Sequence, residues 1–114
     1  MTVLDNDIVE KIKQASEIIH KENEKWWHDI HTGERTEKNI PEMLALVHSE
    51  VSEALEGYRK NLNDDKLPNR SMLEVELADT IIRVLDMSAG LNLDVASAME
   101  EKLYYNRNLE DHKI

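Results

Sequence analysis

The sequence contains no cysteine, so neither a disulfide nor a thiolate zinc site can belong to its chemistry. That absence is compatible with the cytoplasm, where the chain is expected to work. Phenylalanine is also missing, and with only two Trp and three Tyr a core must come from Ile, Leu, Val, Met and Ala. This palette favours helices over a β-sandwich. Three Gly and two Pro are far too few for the many tight turns of an all-β chain. Positive charge is scarce as well: 14 Lys and Arg stand against 24 Asp and Glu, a formal net charge of −10. Such a surface repels a phosphate backbone and offers no basic stripe, which argues against binding DNA or RNA as polymers. A phosphorylated small molecule stays admissible if a divalent cation bridges it to carboxylates. No run approaches the roughly 20 apolar residues of a membrane span. The segment from Met1 to Glu10 is acidic and lacks the basic flank of a signal peptide, so a soluble, intracellular protein is expected.

What is present reads as four helices in a single domain over 1–114, an all-α fold. Ile8, Ile12, Ala15, Ile19, Trp26 and Ile30 recur at helical spacing and predict a first helix from Asp5 to about Asp29. His31 to Asn39 is polar, holds Gly33 and reads as a loop. Asn39 and Pro41 are start signals for a second helix reaching about Lys60, with Leu44, Val47, Val51, Ala54, Leu55 and Tyr58 on its apolar face. Ser71 followed by Glu74 is a capping-box pattern that opens a third helix. Leu73, Leu77, Ile81, Val84, Leu85 and Ser88 line its inner face, and Gly90 is placed to end it. Asp94 can cap a fourth helix through Val95, Ala98, Met99 and Leu103 to roughly Asn108. Apolar stripes this wide predict a four-helix bundle completed by a second copy, as a homodimer or homotetramer.

Two stretches carry candidate chemistry. Glu50 and Glu53 sit one turn apart on the second helix, in a strip with Leu46 and Gly57, where Gly57 is expected to leave the strip open. Glu76 and Asp79 repeat the device on the third helix, with Arg83 and Asp86 continuing the ridge. In an antiparallel hairpin the four carboxylates would face one another, and their repulsion would call for a hard cation. Mg²⁺ suits such all-oxygen ligation better than metals that prefer nitrogen or sulfur. The spacing by itself decides nothing. Five acid-x-x-acid pairs occur, Asp7/Glu10, Glu34/Glu37, Glu50/Glu53, Glu53/Glu56 and Glu76/Asp79, which is about the number the acidic fraction alone produces.

The ordered set says more. Glu50-x-x-Glu53 followed by Glu76-x-x-Asp79, within Leu44 to Glu56 and Glu76 to Asp86, resembles the signature of the MazG-like all-α nucleotide pyrophosphohydrolases. Lys102-Leu103-Tyr104-Tyr105-Asn106 is similar to the Lys-x-x-x-Asn element that follows in that family, and Trp26 and Trp27 sit where such chains often carry aromatics. The resemblance runs from about Glu22 to Arg107. It implies that Glu50, Glu53, Glu76 and Asp79 hold Mg²⁺, with Mn²⁺ as a possible substitute. It further implies attack of water on the α-phosphorus of a nucleoside triphosphate, giving monophosphate and pyrophosphate. Glu53, with Glu50 as second choice, is then the proton acceptor. Lys102, Tyr105 and Asn106 are assigned to phosphate and ribose, and Trp27 to stacking on the base, with Trp26 in the core. Arg83 has no assigned role beyond a potential phosphate contact.

Two other classes compete. Glu17 and His20 form a Glu-x-x-His pair, and a homodimer would supply the two that a di-iron bundle needs. A non-enzymatic acidic adaptor would use the carboxylates only for solvation. His28 and His31 have the spacing of a zinc pair but no evident third ligand, and His48 reads as a flanking polar residue.

Overall fold

A computed structural model describes residues 2–108. Among them lie four α-helices, α1 (Asn6–Glu22), α2 (Ile40–Lys60), α3 (Met72–Gly90) and α4 (Val95–Arg107), with a short 3-10 turn over Glu24–Trp27. The described residues contain no strand, only the isolated bridges His28–Arg35 and Asn63–Ser71. The fold is therefore all-α, as the Gly-poor, Phe-free composition predicts. By its internal contacts the chain divides into two units, Asn23–Val84 and the remainder.

In the Asn23–Val84 unit the helix starts are local chemistry. The Asn39 side chain accepts from Glu42 N–H at 3.1 Å, and Pro41 sits in the first turn where its missing N–H costs nothing. At the start of α3, Ser71 Oγ accepts from Glu74 N–H at 3.1 Å while the Glu74 carboxylate takes the Ser71 hydroxyl at 3.0 Å and its N–H at 3.3 Å, a complete capping box. α2 ends at Asn61 in the left-handed conformation, φ 51°. Between the helices Asp64 accepts from the N–H groups of Lys66 at 3.0 Å and Leu67 at 2.7 Å. Its own N–H reaches Arg70 O, and Met72 N–H reaches Leu62 O, so the turn is pinned from inside.

The first helix is shorter than its stripe predicts. It stops at Glu22, and the 3-10 turn that follows is closed by Trp26 N–H to Asn23 O at 2.9 Å. Changing from 3.6 to 3.0 residues per turn rotates everything beyond Asn23 off the stripe. Ile30 is consequently exposed, and the tryptophans exchange places: Trp27 is 1% exposed and Trp26 65%. The loop then turns at Asp29, whose Oδ1 accepts from His31 and Thr32 N–H groups, with Gly33 at φ 73°.

In the other unit α1 packs against α4. Val9, Met87 and Ala96 are buried there, Ser16 Oγ donates to Leu85 O, and His20 Nδ1 meets Asp86 Oδ1 at 2.8 Å. The Glu100 carboxylate takes the N–H groups of Val3 and Leu4. α3 ends at Gly90, as expected, but Gly90 is buried and does not itself take the left-handed conformation, which falls to Asn92 at φ 57°. Ser88 Oγ donates to Leu93 O at 3.1 Å and accepts from Val95 N–H at 3.3 Å, tying that end to α4, which Asp94 caps through Ser97 N–H. Residues 109–114 lie outside the described residues.

Candidate metal centre

α2 and α3 approach through their smallest side chain. A Cβ on Gly57 would lie 2.7 Å from both Cβ and Cγ of Met72, so only glycine admits the backbone this close. Gly57 is thus filled by a neighbour rather than leaving an open strip, which corrects the expectation from the wheel. One turn and more back along α2, and forward along α3, the pairing continues in antiparallel sense: Glu50 meets Glu76, Asp79 and Arg83.

Glu50, Glu76 and Asp79 each bring one carboxylate oxygen into a group whose members all lie within 4.8 Å of one another. All three are half-buried. Two of the three hold their protons more tightly than an ordinary carboxyl does. Glu76 is pushed up to about 7, first by the hydrogen bond it shares with Glu50, then by burial and by the charges of Glu50, Asp79 and Glu53. Asp79 is raised above the ordinary carboxylate range, chiefly by burial and next by Glu50, with Arg83 pulling the other way. Arg83 Nε donates to Glu50 Oε1 at 3.0 Å.

The donor set fits a hard divalent cation. Three oxygens at this spacing need only small movements to share one ion, and octahedral Mg²⁺ would leave further positions to water or phosphate. Glu53 is near enough to act on Glu76 through its charge, yet it is exposed and stands outside the converging three. Among the described residues no other group of three His, Asp or Glu side chains converges in this way.

Lys102, Tyr105 and Asn106 are on α4, in the other unit, where Lys102 Nζ lies 4.9 Å from the centre of the Tyr105 ring. Asn106 Oδ1 is buried with no hydrogen-bond partner among the described residues. Trp27 is flanked by the cationic groups of Arg35 at 5.0 Å and Lys38 at 5.2 Å, and its burial removes it as a stacking platform for a base. The reason is the early end of α1. His20, the candidate iron ligand, directs Nδ1 at Asp86, and His28 Nδ1 lies 2.9 Å from Glu24 O.

Asp64, which the sequence marks only as one of the polar residues of a loop from Lys60 to Arg70, has a structural role. It is 9% exposed, holds the turn that brings the two helices together, and adds its charge to those raising Asp79. An Asn-Asp-Asp run in a loop is a turn-forming signal and could have singled it out. In comparisons with protein-family models, curated proteins and solved structures, none matches this chain.

Proposed function

We infer that this chain is a Mg²⁺-dependent nucleoside triphosphate pyrophosphohydrolase of the MazG-like kind, with Mn²⁺ able to substitute. It would release monophosphate and pyrophosphate, clearing deoxy or non-canonical nucleotides from the pool. The observation that carries this reading is the convergence of Glu50, Glu76 and Asp79 oxygens within 4.8 Å on two facing helices. Carboxylates crowded this closely are poised for a dication, and an all-oxygen set selects a hard one.

Glu50, Glu76 and Asp79 are the ligands. A dication there would neutralise phosphoryl oxygens and acidify a water, which is most of what in-line displacement at phosphorus requires. Glu53, exposed beside the three, is the proton acceptor for the attacking water, with Glu50 second. The likeness to that family would assign phosphate and sugar to Lys102, Tyr105 and Asn106 of α4. Trp27 has no part in this scheme.

The working form is a homodimer or homotetramer. Leu44, Val51, Leu55 and Tyr58 follow one another along α2 at helical spacing and are all exposed, as are Leu77 and Ile81 on α3. Apolar rows of this extent on a small acidic protein favour cover by a second copy.

The test is to incubate the protein with a nucleotide panel, with Mg²⁺ and with chelator, and identify products. Monophosphate and pyrophosphate, formed only with the metal, are expected. Orthophosphate and diphosphate would overturn the mechanism. No turnover of any nucleotide, with metal bound at the trio, would overturn the activity while leaving the centre standing.

A further inference from the structure

Arg83 stands one helical turn beyond Asp79 on α3, and its Nε reaches across to Glu50 Oε1 at 3.0 Å. The contact is lopsided. The Glu50 side chain is 16% exposed and that of Arg83 41%, so the carboxylate is sunk and the guanidinium extends outward from it. A guanidinium carries five N–H donors in a planar fork. Only the Nε donor is engaged, and among the described residues nothing accepts from Nη1 or Nη2.

Charge gives the second half of the argument. Among the described residues Arg83 is the only cation paired with any of the three converging carboxylates. Three carboxylates and one dication leave the centre negative, and a triphosphate brings several more negative charges to it. An arginine already anchored at the edge of that site offsets the surplus where it would be felt. Its outer edge matches two phosphate oxygens at once, and it is held in place by Nε, so little ordering remains when a ligand arrives. A lysine could make one of these contacts but not both.

We propose that Arg83 is a substrate-binding residue of this centre: Nε fixes the Glu50 carboxylate, while Nη1 and Nη2 take non-bridging oxygens of a polyphosphate chain. The assignment rests on the reading of Glu50, Glu76 and Asp79 as a metal centre, and it adds a residue that the chemistry of the metal alone does not call for.

Calorimetry separates the two. Binding of Mn²⁺ alone, and of inorganic tripolyphosphate in saturating Mn²⁺, is measured for the wild type, Arg83→Gln and Arg83→Lys, with melting temperatures alongside. Arg83→Gln is expected to keep Mn²⁺ affinity within about threefold and lose about tenfold or more in tripolyphosphate affinity, as for a severed charge-assisted pair. Arg83→Lys is expected to recover only part of it. A merely structural role would instead loosen Glu50 and show as weaker Mn²⁺ binding with tripolyphosphate affinity falling in step; that result overturns the proposal. Unchanged tripolyphosphate affinity in Arg83→Gln, or no tripolyphosphate binding by a wild type that binds Mn²⁺, overturns it too and leaves the metal centre intact. Failure of the wild type to bind Mn²⁺ removes the centre and the proposal together.

Discussion

Glu50 on α2 and Glu76 on α3 share a hydrogen bond between two carboxyl groups, and that bond is the largest reason Glu76 keeps its proton up to about 7. A carboxyl whose folded pKa lies above its unfolded value binds a proton more tightly in the native state. Its contribution is harmless below about 4.5, turns unfavourable as pH rises towards 7 and is fully unfavourable above that. Melting temperature of metal-free protein should therefore fall between pH 5 and 8, measured by calorimetry. Glu76→Gln should flatten the slope, and Mg²⁺ or Mn²⁺ should restore stability at the alkaline end. A melting curve that rises with pH over this range would contradict the arrangement.

Gly57→Ala places a methyl 2.7 Å from Met72 Cβ and Cγ. Alanine is the better helix former by about 1 kcal/mol. Overpacking against a neighbour costs about 1–3 kcal/mol. The clash is expected to win, because one offending atom is a Cβ that no rotamer change can move. Urea unfolding should show a net loss, and Met72→Ala in the same background should fail to rescue it fully.

Asp64→Ala strips two backbone N–H groups of their acceptor inside the α2–α3 turn. A loss of about 1–3 kcal/mol is expected. Asp64→Asn keeps an amide oxygen to accept from Lys66 and Leu67, so it should be milder. Weaker Mn²⁺ binding should accompany the loss in Asp64→Ala, since the turn positions Glu50 against Glu76 and Asp79.

Glu53 and Asp79 can be told apart by what their amides lose. Asp79→Asn removes one of the three converging oxygens and should abolish metal binding by calorimetry, with activity following. Glu53→Gln should leave metal affinity near that of the wild type while lowering turnover by about 10²–10⁴. Equal loss of metal binding in both would place Glu53 among the ligands.

Light scattering should give a mass of two or four chains. Leu55→Glu and Tyr58→Glu, each charging an exposed position on the α2 row, should shift the mass towards one chain. A wild type that runs as a single chain would remove the assembly from the functional reading.

The helix starts were legible because each is decided within four residues: Asn39 with Glu42, Ser71 with Glu74, Asp94 with Ser97. The convergence of Glu50, Glu76 and Asp79 was legible as a possibility once two capped helices flanked one loop. Its exclusion of Glu53 was not, because wheel angles cannot distinguish a side chain at the seam from one at its shoulder. The end of α1 was hidden for a different reason. A 3-10 turn keeps enough of the α stripe that Trp26 reads as inward in the sequence, although a change of pitch at Asn23 reverses the two indoles. The Arg83–Glu50 contact spans 33 positions in sequence and no local rule announces it.

The turn pinned by Asp64 makes the centre a product of about thirty consecutive residues, a loop short enough that closing it carries little chain entropy. Such a cassette tolerates change in whatever surrounds it, but its own spacing is fixed. A residue added between Asn61 and Ser71 has to be absorbed by the turn itself, at the expense of the contacts from Asp64 to Lys66 and Leu67, so the length of that turn is the part of the cassette under most constraint.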